Sequence, residues 1–213
     1  MPVITIANPK GGVGKSTLAT NLAGCFVHRG HRTMLGDVDR QQSARQWLAL
    51  RPASAPRIES WDIDGKHIAR PPKGVTHVVL DTPAGLKGER LESVLAISSR
   101  VIVPLQPSAF DMAATEAFLL RLAEERAVRK GAAKVAVVGM RVDLRTRSAD
   151  DLRHFVEGLG LPVLGFLRET QIYVQLAGLG LTLWDLAPSR VERDLLQWLP
   201  LLRWVEGHPV AGG

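Results

Sequence analysis

The chain has one cysteine and one tyrosine in 213 residues, and aromatic residues are only 5% of it. A single thiol, Cys25, excludes an internal disulfide and a cysteine cluster holding a metal. It sits in an apolar helical stretch, where a small core residue is the expected reading. The N-terminus, "MPVITIANPK", lacks a basic segment followed by an apolar run, so no secretory signal is expected. No apolar run is long enough to cross a bilayer. Acidic residues are also in deficit: 21 against 27 basic ones, a formal charge of +6. That excess suits an anionic partner but does not by itself name one.

What is present is an alternation of short β-branched runs with helical patterns, the sign of βαβ units and a mainly parallel sheet. Strands are expected at 3–7, 33–37, 76–83, 100–106, 134–140 and 162–167. A helix is expected over 16–29 with Leu18, Leu22, Cys25 and Phe26 at helical spacing. A second helix should run through Trp47 and Leu48, and a third over 111–130 with Ala113, Ala117, Leu120 and Ala127 facing inward. The proline-rich stretch 51–74 is the least regular, with a short strand near Ile58. No repeat or linker divides the chain, so one domain over 1–213 is expected, a doubly wound α/β fold with helices on both faces of the sheet.

The first expected strand runs into "ANPKGGVGKST" (7–17). A phosphate-binding loop of the usual form, G-x-x-x-x-G-K-[ST], would have glycine where Pro9 stands. The rest of the recipe is intact. Backbone N–H groups of Gly11, Gly12, Val13 and Gly14 can face an anion, because glycine permits the dihedrals this needs. The helix opening at Lys15-Ser16-Thr17 adds unpaired donors and partial positive charge. Lys15 would neutralise the β/γ-phosphates and the Ser16 hydroxyl would reach Mg²⁺.

The extra lysine, Lys10, is not part of that recipe. "KGGVGKST" closely resembles the deviant phosphate-loop signature of the ParA/MinD ATPase family, which begins with lysine and places Pro9 outside its core. The resemblance implies that Lys10 reaches across an ATP sandwich dimer to the partner's phosphates, in the manner of an arginine finger. "GDVDRQQS" (36–43) resembles the family's D-x-D-P-Q segment, with Arg40 in place of the proline and Gln41 keeping its place. By that likeness Asp39 orients the attacking water and Asp37 lies nearer the metal. "VVLDTPAG" (78–85) looks like the Walker B strand, so Asp81 would hold a water on Mg²⁺. "VPLQPSAFD" (103–111) also resembles a family segment, and the likeness covers most of the chain.

The beginning close to the first strand resembles the small ParA subgroup, of which ParF is the type, without a preceding helix-turn-helix domain. The family implies an ATPase of weak intrinsic activity, converting ATP and water to ADP and phosphate. It also implies a monomer when nucleotide-free or ADP-bound, and an ATP-bound homodimer on nonspecific DNA. A ParB-like or other activating partner would stimulate hydrolysis, so that a plasmid, chromosome or protein cargo is partitioned or positioned. The expected location is the cytoplasm, on the nucleoid. Candidate DNA contacts are Arg145, Arg147 and Arg168, with Arg141, Arg153, Arg190 and Arg193 nearby; Arg141 is alternatively a wall of the adenine pocket.

The competing reading is a MinD-like membrane-associated positioning ATPase, through the apolar C-terminal "RDLLQWLPLLRWVEGHPV". Pro200 and the scarcity of basic residues argue for a helix packed on the sheet instead. A nitrogenase iron-protein role lacks its cysteines. A tyrosine-kinase relative would carry a tyrosine-rich tail, and Tyr173 is the only tyrosine. A metabolic synthetase relative is not separated by motif.

Overall fold

The computed structural model describes residues 1–39, 42–61 and 71–208. Arg40 and Gln41, the departure from and the match to the family's D-x-D-P-Q segment, lie outside the described residues.

Seven strands form one sheet: β1 (Val3–Ile6), β2 (Thr33–Asp37), β3 (Glu59–Trp61), β4 (His77–Asp81), β5 (Arg100–Leu105), β6 (Lys134–Met140) and β7 (Val163–Leu167). Their order is β3-β2-β4-β1-β5-β6-β7, and every pairing is parallel. Parallel strands are buried on both faces, which is why they read as β-branched runs such as "RVIV" and "KVAVV" rather than as alternations. The short strand expected near Ile58 is β3, the edge strand.

Among the described residues, eight α-helices connect and cover the strands: α1 (Lys15–His28), α2 (Ser43–Leu50), α3 (Glu89–Ile97), α4 (Ala109–Glu124), α5 (Arg126–Arg129), α6 (Arg147–Gly158), α7 (Gln171–Gly178) and α8 (Pro188–Val205). The pleat sorts the core into two layers. Ile4, Ile6 and Ile102 point to the layer filled by Leu18, Leu22 and Phe26 of α1, Trp47 of α2, Leu176 of α7 and Trp198 of α8. Val3, Ala7, Val101 and Val103 point the other way, onto Leu91 and Val94 of α3, Phe118 and Leu122 of α4, and Leu152 of α6. This is the doubly wound arrangement. Cys25 lies in the first layer with no exposure, and burial pushes its thiol up to about 11, so it packs as an apolar group.

Two expectations need correction. The stretch 111–130 is two helices, because Glu125 takes extended backbone (ψ 137°) between α4 and α5. The inward face of α4 is also different: Thr115, Phe118, Leu119 and Leu122 are buried, whereas Ala113 and Ala117 are exposed and Leu120 is 67% exposed. Phenylalanine and leucine bury far more apolar area than alanine, so the bulkier stripe decides the rotation of the helix.

The C-terminal helix is packed, as expected, on the sheet beside β7. Proline at its first position and a kink at Val191 shape its entry, and Pro200 lies inside it. Trp198 is fully buried, stands edge-on to Trp184 at 5.1 Å and donates its indole N–H to the Tyr173 hydroxyl at 2.9 Å. Trp204 is also buried. No helix among the described residues is long and apolar enough to cross a membrane.

A buried ion pair locks this region to α1 and α2. Arg51, just past α2, gives two 3.0 Å hydrogen bonds to Asp185, and both side chains are 5% exposed. Thr182 and His28 complete the Asp185 shell. The approach is close: at Gly180 (φ +66°) a Cβ would lie 2.4 Å from the Arg51 nitrogen. Burial alone would raise the Asp185 carboxyl, but the hydrogen bonds from Arg51, His28 and Thr182 outweigh it and hold the group down at about 2. A depressed pKa contributes stability above the unfolded value that is lost as pH falls through about 4 towards about 2. Asp185→Ala leaves the Arg51 guanidinium buried without its partner and is expected to cost about 3–5 kcal/mol. Urea denaturation at pH 7 measures this, and a loss below about 1 kcal/mol contradicts it.

Candidate functional site

The site forms where β1, β2 and β4 end. Parallel register sets Ile6 opposite Asp81, and Asp37 opposite Asp81 on the other side. The segments that follow these strands therefore emerge together at the carboxyl edge of the sheet, the edge at which open α/β sheets bind ligands.

After β1 the chain forms the loop 8–14. Asn8, missed in the sequence reading, is its anchor. Its buried side chain donates to the Pro104 carbonyl (2.7 Å) and the Thr115 hydroxyl (3.0 Å), and accepts from the Lys10 N–H (2.8 Å). Gln106 donates to the Gly12 carbonyl at 3.0 Å. Both Pro104 and Gln106 belong to the "VPLQPSAFD" segment, whose likeness to the family was legible but whose contact with the loop was not. Pro9 contributes its carbonyl, which accepts the Gly85 N–H at 3.1 Å. A backbone acceptor is available from any residue, so no glycine is needed there.

Gly14 caps α1 in the left-handed conformation (φ +94°), with no side chain capping the helix and no acidic residue in its first turn. The first N–H groups of α1 are thus left for a ligand, and the positive helix end is uncompensated. Gly12 is also left-handed, while Val13 is buried and fixes the loop to the core. Lys15 is buried and lies back on its own loop, donating to the Lys10 carbonyl at 2.6 Å. Burial lowers its pKa, partly offset by the attraction of Asp81 and Asp39. The residues Lys15, Asp39 and Asp81, far apart in sequence, are therefore electrostatic neighbours.

Ser16 donates its hydroxyl to Asp81 Oδ2 at 2.6 Å. Asp81 is 1% exposed, and its Oδ1 is a buried oxygen with no hydrogen-bond partner among the described residues. Burial, reinforced by Asp37, lifts this carboxyl to about 7 against the pull of the Ser16 hydrogen bond and Lys15. An orphaned buried oxygen beside a serine hydroxyl is an acceptor set that a hydrated divalent cation fits.

Asp37 is placed beside Asp81, but its oxygens are already engaged: Oδ1 accepts the Asp39 N–H and Oδ2 the Ala44 N–H, each at 2.8 Å. It thereby caps α2 and fixes the turn carrying Asp39. Asp39 itself lines a cleft of about 380 Å³ with Gly85, Lys87 and Arg90.

Lys10 behaves differently from Lys15. Its side chain is 41% exposed, and its ammonium stands 3.7 Å from Asp111 at the start of α4. The three arginines expected at DNA are scattered in role. Arg145 is exposed but forks onto Asp143, and Arg147 is exposed at the start of α6. Arg168 is partly buried, and its Nε and Nη2 grip the buried Asp194 at 2.7 and 2.9 Å, tying the end of β7 to α8. Arg141 is exposed at the end of β6, in a left-handed backbone conformation.

A strand, a glycine loop and a helix with lysine and serine at its start define a phosphate-loop nucleotide-binding protein. Residues 4–183 match the family described as the CobQ/CobB/MinD/ParA nucleotide binding domain, and the chain belongs to it. It is similar to a maintenance of carboxysome distribution protein A from Gloeobacter kilaueensis, 29% identical over 206 residues that cover 95% of this chain and 84% of that protein. Among solved structures, the MinD cell division protein of Aquifex aeolicus superposes with a TM-score of 0.73 at 17% identity, all of each chain being covered. A plasmid partition protein of Borrelia burgdorferi bound to AMPPNP gives 0.70 at 18% identity, covering 95% of this chain and 99% of that one. The protein is accordingly an ATPase of the ParA/MinD type, related to proteins that position or partition cargo.

The loop geometry gives a direct test. A Cβ at Gly14 would meet Met140 Cε at 2.7 Å and force a side chain into φ +94°. Gly14→Ala is expected to cost about 1–2 kcal/mol of stability and at least about tenfold in ATP affinity. Calorimetric titration with ATP and thermal melting of the same variant measure the two, and unchanged affinity contradicts the placement.

Proposed function

We propose that the chain is a ParA-like positioning ATPase of one domain, 1–213, in which ATP is both substrate and dimer glue. Two copies close over two nucleotides, and Lys10 of each reaches the phosphates of the other. The observation that supports this reading is the divergence of the two loop lysines: Lys15 is buried against its own loop, while the Lys10 side chain is 41% exposed and its ammonium is paired with Asp111 at the start of α4. A partly exposed lysine held by a weak ion pair is available to a second copy.

Within the site, Lys15 and the N–H groups of Gly11 to Thr17 bind the phosphates. Ser16 and Asp81, with Asp37 beside them, would hold Mg²⁺, which supplies charge neutralisation on the β/γ-phosphates when bound. Asp39 orients the attacking water. The dimer then binds DNA without sequence preference through its basic surface, with exposed Arg145 and Arg147 as contacts, and a ParB-like partner triggers hydrolysis and release. This places the protein in the cytoplasm, on the nucleoid. The MinD-like membrane reading loses Trp198 and Trp204 of α8, which are buried, and retains only the exposed Leu196 and Leu199 of that helix.

Asp39→Ala is expected to bind ATP normally but to turn over about 100-fold more slowly, accumulating the dimer. Lys10→Ala should lower turnover at least about tenfold and leave the protein monomeric with ATP. Light scattering behind size exclusion, with ATP against ADP, reads the dimer, and phosphate release reads turnover. A Lys10→Ala variant that dimerises and hydrolyses like the parent would overturn the trans role. DNA retention should depend on ATP and weaken with salt; retention equal in ADP would remove DNA from the cycle.

A further inference from the structure

The short strap Asp37-Val38-Asp39 is tied to α2 by the Ala44 N–H on Asp37 and the Gln42 N–H on the Asp39 carbonyl, and three further bonds set its course. The Val38 N–H donates to the Asp81 carbonyl at 3.1 Å, and the Asp39 N–H donates to the Asp37 carboxylate at 2.8 Å. The third tie comes from outside the two strands: Arg90 Nη2 donates to the Val38 carbonyl at 2.6 Å. This is a charge-assisted bond to the peptide unit that joins Val38 to Asp39, so it fixes the plane from which the Asp39 side chain departs. Val38 is itself buried, which leaves the strap little room to slide.

Arg90 stands in the first turn of α3, directly after the loop 83–88, and it lines the same cleft as Asp39. That loop contains two left-handed glycines, Gly85 and Gly88, and is tied to the phosphate loop through the Gly85 N–H and the Pro9 carbonyl. What α3 contributes at the cleft is one cation, bonded to the backbone beside the carboxylate assigned to the water. Asp39 leaves its strand on a turn, where backbone orientation is fixed by few bonds, so one strong bond weighs heavily on where its oxygens lie. Positional errors of about 1 Å at a reacting group cost on the order of 100-fold in rate.

The geometry points to Arg90 as a positioning residue for hydrolysis: it clamps the Val38 carbonyl and so holds Asp39 at the attacking water. This rests on the reading of Asp39 given above. Arg90 acts through Asp39 and not on the nucleotide, so its removal lowers kcat and leaves KM for ATP nearly unchanged. Because the clamp joins α3, which follows the 83–88 loop, to the strap, a partner that shifts this loop together with α3 also shifts Asp39.

The test uses full-length protein with Asp39→Ala, Arg90→Met, Arg90→Lys and the double variant Asp39→Ala/Arg90→Met. Methionine keeps the packing of the stem without a donor, and lysine keeps a charged donor. Steady-state hydrolysis, KM for ATP and melting temperature are measured for each. Arg90→Met is expected to lose about tenfold or more in kcat with KM within about twofold and an unchanged melting temperature. Arg90→Lys should recover most of that loss, and the double variant should be no slower than Asp39→Ala. Parental kcat in Arg90→Met, a loss confined to KM, or a double variant slower than Asp39→Ala by the full Arg90 factor would overturn the role of Arg90 alone. Parental turnover in Asp39→Ala would instead overturn the reading of the site.

Discussion

The structure depends on holding a carboxyl group, Asp81, at 1% exposure between two other strands. A buried carboxyl is costly in its charged form, and here burial lifts its pKa to about 7. The fold tolerates it because β4 is flanked on both sides: β1 brings the Ser16 hydroxyl and Lys15 on the segment that follows it, and β2 brings the Asp37–Asp39 strap. The strand order is thus also the assembly plan of the site. Moving β4 from its place between β1 and β2 would separate the three segments.

Satisfaction of polar groups elsewhere makes the exception at Asp81 informative. Asp185 is ringed by Arg51, His28 and Thr182; Asp194 is gripped by Arg168; Asn8 uses both ends of its amide; Thr5 bonds Ser98 at 2.6 Å. Among the described residues only Trp47 Nε1 and Asp81 Oδ1 are buried side-chain polar atoms without a hydrogen-bond partner. The Trp47 ring faces Arg51 at 5.5 Å. Asp81 Oδ1 is the orphan that stands at the nucleotide edge. An unpaired acceptor there fits a hydrated cation, because a group left without a partner at a structural cost gains one when such a ligand binds.

Short-range signals were legible and long-range pairings were not. The strands, the loop and the turn glycines follow from local rules: β-branched runs, a positive φ that only glycine takes easily, a lysine and serine opening a helix. The motif carboxylates could be ordered along the chain, yet only the register of β1, β4 and β2 shows that they converge. Arg51 and Asp185 are 134 residues apart, and Lys10 meets Asp111 across about half the chain, so no periodicity reveals either pair. Arg168 is a further case: its pairing with Asp194 on α8 follows from the packing of that helix against β7, which no local pattern signals. The face of α4 was misjudged because alanine spacing is a weak guide beside Phe118 and Leu122, whose larger area sets the rotation.

The two loop lysines are mechanically linked, and this bears on how a nucleotide could change the exposed one. The Lys15 ammonium donates to the Lys10 carbonyl at 2.6 Å. A bound phosphate is a stronger acceptor for that ammonium, since both partners are then charged. Drawing Lys15 to the phosphates removes one tie on the peptide that follows Lys10, while the Asn8 hydrogen bond to the Lys10 N–H can persist. The remaining restraint on the Lys10 side chain is its ion pair with Asp111 at 3.7 Å, on a side chain 41% exposed. Exposed pairs of this kind contribute about 0–1 kcal/mol, well below what a phosphate in a dry site offers a cation. Filling the site would therefore loosen the loop behind Lys10 and leave Asp111 as a weak restraint, which is the condition that the proposed trans role of this lysine requires.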